Sequence, residues 1–347
     1  MTQGAFHPTC AFPDDLVRPV RIDPTGVTGP TPGQAQRGRW RACAHGWYVP
    51  AATDSTRVEQ RILEQAVRLG PGGALTGWAS LRWRGAAYFD GTAVEGAALR
   101  PVPLLRSAGG NLTRESAAAI SRCQLAPSEI EIVHGVPCTT VQRALFDEMR
   151  FAVSLREAVV AADMTAAAGL ITPAIMAVYV SHRPAWMGVP LVRRALLLCI
   201  VDSRSPQETR LRLVWILDAR LPPPLCNRPV FDRAGNLLGY PDLLDPVAGV
   251  VGEYDGADHR TASRHRRDVT REAAFRDHGL EFFRVVGGDL GNRALVVDRM
   301  LSARRRARFL PEEDRAWTLV PPPWWEQPES LDHRLVRLGA VRALTHT

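Results

Sequence analysis

The chain has 347 residues, 46% of them hydrophobic, a net charge of +7 and an isoelectric point near 9.5. That length suits two or three globular domains, and the basic balance points to a polyanionic partner, DNA before others. No uncharged apolar run reaches the roughly 18 residues of a membrane span, and six scattered cysteines without a CxxC pair exclude a zinc ribbon or a disulfide framework.

All 43 basic residues are arginine. Arginine stays charged and grips phosphate in a bidentate fork, but it cannot serve as a lysine base. Reduced cysteines, no opening signal peptide and no membrane partner are the expectation for a cytoplasmic protein.

Residues 1–38 are rich in Pro, Gly and Thr and predict mostly loop. GRWRACAHGWYVPA, from Gly38 to Ala51, predicts a hairpin turning at His45-Gly46. Arg39 and Arg41 on it are candidate phosphate contacts, or part of a solvated charged hairpin. Val58, Ile62, Ala66 and Leu69 fall at helical spacing, and a second helix is expected over 76–83.

From about residue 99 to 202, alternation predicts a strand at 130–134, and Thr139 or Thr140 caps a helix. Ser154 to Glu157 forms a capping box, and Thr172-Pro173 opens another helix. Nothing here suggests chemistry.

From Ser205 the order of expected elements is αβββαβα. A helix starts at Ser205-Pro206-Gln207-Glu208, and Pro222 to Pro224 end it. One strand covers about 227–232, a second runs through Asp242, and a third ends at Asp255. A helix covers about 262–278, a strand 281–286, and a last helix carries Arg304, Arg305, Arg306 and Arg308. Pro321 to Trp325 is expected to be a stiff linker before a short helix near 330–343. This tail is a candidate surface for a protein partner or for self-association. The expected domains are thus 1–98, 99–202, 203–310 and 311–347.

The chemistry concentrates in GYPDLLDPVAGVVGEYDGADH, from Gly239 to His259. Glu253 and Asp255 sit at i and i+2, hence on one face of a strand end. With Asp242 on a neighbouring strand they offer hard oxygens to a divalent cation, and His259 follows nearby. Glu208 has two accounts, a capping carboxylate for Ser205 or a member of the site. Arg267 and Arg271, one helical turn apart, suit a phosphate clamp or ion pairs with Asp268 or Glu272.

SPQE at 205–208, YPDL at 240–243, VVGEYDGADH at 250–259, RRD with Arg271 at 266–271 and FFRVVGGDL at 282–290 resemble the PD-(D/E)XK nucleases. Within them the resemblance is to the DUF559 group, relatives of the very short patch repair endonucleases. GRWRACAHGWYVP, LTGWASLRWRG and GVPCTTVQRALFD resemble the AbiEi-antitoxin-like region that often precedes such a domain. Asp255 stands at the signature lysine position, and the helices before the wing shrink to TPGQAQ.

The resemblance implies an α+β multidomain chain with a restriction-endonuclease-like core and a degenerate winged-helix-like module. It implies a Mg²⁺- or Mn²⁺-dependent DNA endonuclease or nickase. Asp242, Glu253 and Asp255 would be metal ligands, with His259 and Glu208 as further catalytic groups and Arg267 and Arg271 as DNA contacts. The alternative is a DNA-binding regulator, an AbiEi-like antitoxin whose nuclease-like domain does not cut.

Overall fold

The structure is a computed structural model that describes residues 8–93, 98–106, 117–256 and 262–339, with side chains left out over 262–269. The protein is α+β, and it divides into two compact units, 1–197 and 198–347. Among the described residues, no helix is long and apolar enough to cross a membrane.

The first unit opens with β1 (Val20–Arg21), the five-residue α1 (Pro32–Gln36), β2 (Trp40–Ala44) and β3 (Trp47–Pro50). The expected hairpin is present, and β1 joins it in the antiparallel order β1-β3-β2. Then follow α2 (Val58–Ala66), β4 (Ala74–Leu75), α3 (Gly77–Trp83), β5 (Val102–Leu105), β6 (Ala118–Ser121), β7 (Ile130–Val133) and β8 (Val136–Thr139). The last five strands make one mixed sheet in the order β6-β5-β4-β8-β7. Residues on either side of position 98 therefore share a sheet.

Four helices complete this unit: α4 (Val141–Arg150), α5 (Leu155–Ala167), α6 (Pro173–Ser181) and α7 (Val189–Leu196). Thr140, Ser154 and Thr172 cap the first three through their side-chain oxygens. A buried ionic network ties α4 to the sheet and to α6. Arg143, wholly buried, pairs with Asp147 at 3.0 Å and Glu129 at 2.9 Å. The Tyr179 hydroxyl donates to Glu129 at 2.5 Å, and burial together with that bond pushes the phenol pKa up.

The second unit begins with α8 (Pro206–Leu213), capped by Ser205. It passes into a π-helical turn, Val214–Asp218, where the Ala219 N–H reaches the Val214 carbonyl at 2.9 Å. Then come β9 (Val230–Asp232), β10 (Leu237–Gly239), β11 (Leu243–Asp245), β12 (Val250–Asp255), α9 (Ala262–Asp277), β13 (Glu281–Val286), α10 (Arg293–Arg306), β14 (Trp317–Thr318) and α11 (Leu331–Arg337).

The strand expected to run through Asp242 is broken into β10 and β11, which belong to different sheets. Pro241 has no N–H to give a ladder, and Gly239 holds φ at +155°. Asp242 therefore sits just before β11 and not within a strand.

The sheet β11-β12-β13 has β11 antiparallel and β13 parallel to β12. It separates two cores. One gathers Leu211, Trp215, Leu243, Val250, Phe283, Val296 and Met300. Phe283 stacks on Trp215 with ring centroids 6.0 Å apart and crosses over Gly252, where any Cβ would lie 2.2 Å from its Cζ. The other core gathers Val230, Leu244, Val251, Phe275, Leu280, Phe282 and Trp317. Trp317 belongs to the expected tail. It is there because β14 pairs with β9, in the order β10-β9-β14, and closes this core.

Residues 311–320 thus complete the fold and are not a linker. Trp317→Ala should cost about 3–5 kcal/mol, the usual loss for a buried aromatic ring. A denaturant midpoint left unchanged by this substitution would show that the tail carries no stability.

Candidate functional site

Register brings the carboxylates together. Leu243 pairs with Gly252, so Asp242 lies one step on, opposite Glu253. The Tyr254 N–H donates to Asp242 Oδ2 at 2.8 Å. Glu253 is buried at the end of β12, on the Val251 side of the sheet by alternation. Asp255 is half-buried two residues further on and shares that face.

Glu208 reaches the same place from the first turn of α8. Its N–H donates to Ser205 Oγ at 3.2 Å, as capping requires. Its carboxylate, however, accepts from the Arg204 N–H at 2.9 Å rather than from Ser205. The other donor is Asn227 Nδ2 at 2.8 Å. Asn227 takes a left-handed φ of +50°, which asparagine tolerates well, and its N–H bonds the Pro241 carbonyl at 2.9 Å. This asparagine joins the Glu208 loop to the Asp242 loop.

The electrostatics show how close the group is. Dense packing around the Asp242 carboxyl pushes its pKa well above the usual carboxylate range, although the residue keeps some exposed surface. The charges of Glu208 and Glu253 push the same way, and the Tyr254 N–H and Arg271 only partly oppose them.

Among the described residues, Arg271 on α9 brings a cation to this group. Its Nη2 lies 2.6 Å from Glu253 Oε2. Its stem crosses Gly239, where a Cβ would meet Arg271 Cδ at 3.0 Å and Phe275 Cζ at 3.1 Å. Its described partner is Glu253 and not Glu272, and the Asp268 side chain lies outside the described residues. Glu272 instead pairs with Arg276 and Arg284, each at 3.0 Å.

The structure brings together Asp242, Glu253, Glu208 and Arg271. His259 lies outside the described residues, and Arg267 is described in its backbone alone. In the first unit, Arg39 is exposed just before β2, whereas Arg41 is committed to Glu64 at 2.8 Å and to Ser55. Sequence reasoning passed over Arg204 and Asn227. The one available signal for Asn227 was an asparagine directly after a proline-rich stop, a left-handed turn site.

Carboxylate oxygens are the donors that Mg²⁺ and Mn²⁺ accept, so the donor chemistry of Asp242, Glu253 and Glu208 fits a hard divalent cation. Among the described residues no three His, Cys, Asp or Glu side chains are gathered in ligating geometry, and Arg271 holds one oxygen of Glu253. No family model, no curated protein and no solved structure matches this chain.

The raised pKa of Asp242 has a sign in stability. The folded chain holds a proton that the unfolded chain releases near pH 4. Stability from this residue is therefore full at low pH and falls as pH rises from about 4 through the folded pKa. Asp242→Asn keeps the acceptor for Tyr254 and removes the titration. In chelator, its melting temperature should exceed that of the wild type at pH 7.5, with the gap closing toward pH 4. A gap that does not change with pH would contradict the raised pKa.

Proposed function

We propose that the second unit is a metal-dependent DNA endonuclease or nickase hydrolysing phosphodiester bonds on a restriction-endonuclease-like core. The observation that supports this most is geometric: the β11–β12 register sets Asp242 opposite Glu253, and Asn227 bridges the Glu208 carboxylate to the Pro241 carbonyl, so carboxylates from three separate segments converge. Such a cluster of like charges is costly for a folded protein unless a cation is meant to join it. The element order from α8 to β13 and the motifs at 205–208, 240–243 and 250–259 support the same reading.

Mg²⁺ or Mn²⁺ held by Asp242 and Glu253 would supply a bound water of lowered pKa and neutralise charge on the scissile phosphate. Glu208, fixed beside Asp242 by Arg204 and Asn227, would orient the attacking water. Arg271 is a fork that can exchange Glu253 for a phosphate oxygen. Asp255 would aid in orienting water or hold a second metal. His259 would act as general acid or base, and Arg267 would contact phosphate. Exposed Arg39 on the winged-helix-like hairpin would add a sequence-independent phosphate contact.

One observation favours a second reading, a DNA-binding regulator of the AbiEi-antitoxin kind with a non-catalytic nuclease-like domain. The 2.6 Å ion pair to Arg271 gives one oxygen of Glu253 a cationic partner without a metal.

Cleavage separates the two. The pure chain with Mg²⁺ or Mn²⁺ should cut at least one of single-stranded, nicked, mismatched or duplex DNA, and Asp242→Ala should abolish cutting. Glu208→Gln keeps most of its hydrogen bonds and should lower the rate on the order of a hundredfold, as losing an electrostatic group does, with a stability change of about a kcal/mol or less. No cleavage of any form would overturn the nuclease reading. Glu208→Gln at the wild-type rate would return Glu208 to a purely structural role.

A further inference from the structure

We propose that the C-terminal tail builds a stacking shelf for unpaired DNA bases beside the carboxylate group. The inference rests on the reading of the second unit as a DNA nuclease, and it names the class of DNA that unit would prefer.

The shelf is a row of rings. Trp324 meets Trp325 edge-to-face at 5.7 Å between centroids, and Trp325 meets Tyr240 at 6.3 Å with the planes tilted by 44°, so the row is stepped and Trp324 offers the outer face. The guanidinium of Arg204 lies 5.3 Å from the Tyr240 ring centroid. The row is tied to the site at two points. Tyr240 is two residues from Asp242, and the backbone N–H of Arg204 holds the Glu208 carboxylate.

The rings are anchored from behind. Trp325 packs edge-on against buried Phe231 at 5.0 Å, and its N–H bonds the Pro322 carbonyl at 2.9 Å. Pro322 lies against the β9–β10 turn so closely that a Cβ on Gly235 would meet its Cβ at 3.1 Å. Three consecutive prolines stiffen the approach. The shelf is therefore preorganised and needs little ordering on binding.

Packing accounts for Trp325 but not for Trp324. All nine tryptophans are among the described residues, and Trp324 alone is exposed, at 64%. Exposed Arg204 at the other end supplies a cation for a phosphate. An aromatic face next to an arginine, leading to carboxylates that suit a metal, matches a nucleotide strand with its bases free. A continuous duplex hides its base faces, so the favoured DNA is single-stranded, flapped or mismatched.

The test uses the full chain in chelator, titrated with a fluorescent single-stranded DNA oligonucleotide and with a duplex of equal length. Single-stranded DNA should bind more tightly. Trp324→Ala should weaken it on the order of tenfold, within the range for one stacked base, with little effect on the duplex and on the melting temperature. Trp324→Phe should restore most of the loss.

Unchanged single-strand affinity in Trp324→Ala, or equal losses for strand and duplex, would overturn the proposal. So would sedimentation showing self-association in the wild type that Trp324→Ala abolishes, which would assign the shelf to contact between copies. Because no metal is present, cleavage does not enter. A chain that binds single strands through Trp324 yet cuts no DNA would keep the shelf and overturn the nuclease reading.

Discussion

Asp242 is held where its charge is least welcome. Packing strips water from its carboxyl, and Glu208 and Glu253 add two like charges. Among the described residues, Arg271 answers the group with a guanidinium that pairs with Glu253. These surroundings favour the protonated form of Asp242, which removes one charge from the cluster. A proton is a poor substitute for a divalent cation, because it neutralises one oxygen where an ion can draw several together.

The architecture supplies this cluster by construction. Parallel β12 and β13 form a stiff centre with a core on each side, and the β12 end delivers Glu253 buried. The break at Pro241 turns Asp242 toward the Tyr254 N–H. A left-handed Asn227 then bonds both the Pro241 carbonyl and Glu208. Gly239 leaves the channel through which Arg271 enters. The tail is bound into the same unit, since β14 completes the β10-β9-β14 sheet and Trp317 fills the core beneath it.

Much of this was legible because it follows from short-range rules. Period-2 alternation placed β7 at 130–134, one residue longer than observed, and side-chain caps placed the starts of α4, α5, α6 and α8. The i, i+2 spacing put Glu253 and Asp255 on one face. What escaped depends on contacts between distant residues. Arg271 had two acidic neighbours on its own helix, so nothing local pointed to Glu253 eighteen residues earlier. Glu208 fitted a capping box by spacing, yet its carboxylate bonds Arg204 and Asn227, which only the fold brings near. Trp317 stood in a proline-rich stretch and gave no periodic signal. The Arg143 network went unseen for the same reason, its members running from Glu129 to Arg183.

The most direct test of the proposed cation site is calorimetric titration of metal-free protein with Mn²⁺ in buffers of different ionisation enthalpy. Ligands must shed protons to bind a metal, so the account predicts saturable binding with proton release that grows as pH is lowered, and neither in Asp242→Asn. Binding without proton release, or no binding at all, would contradict it.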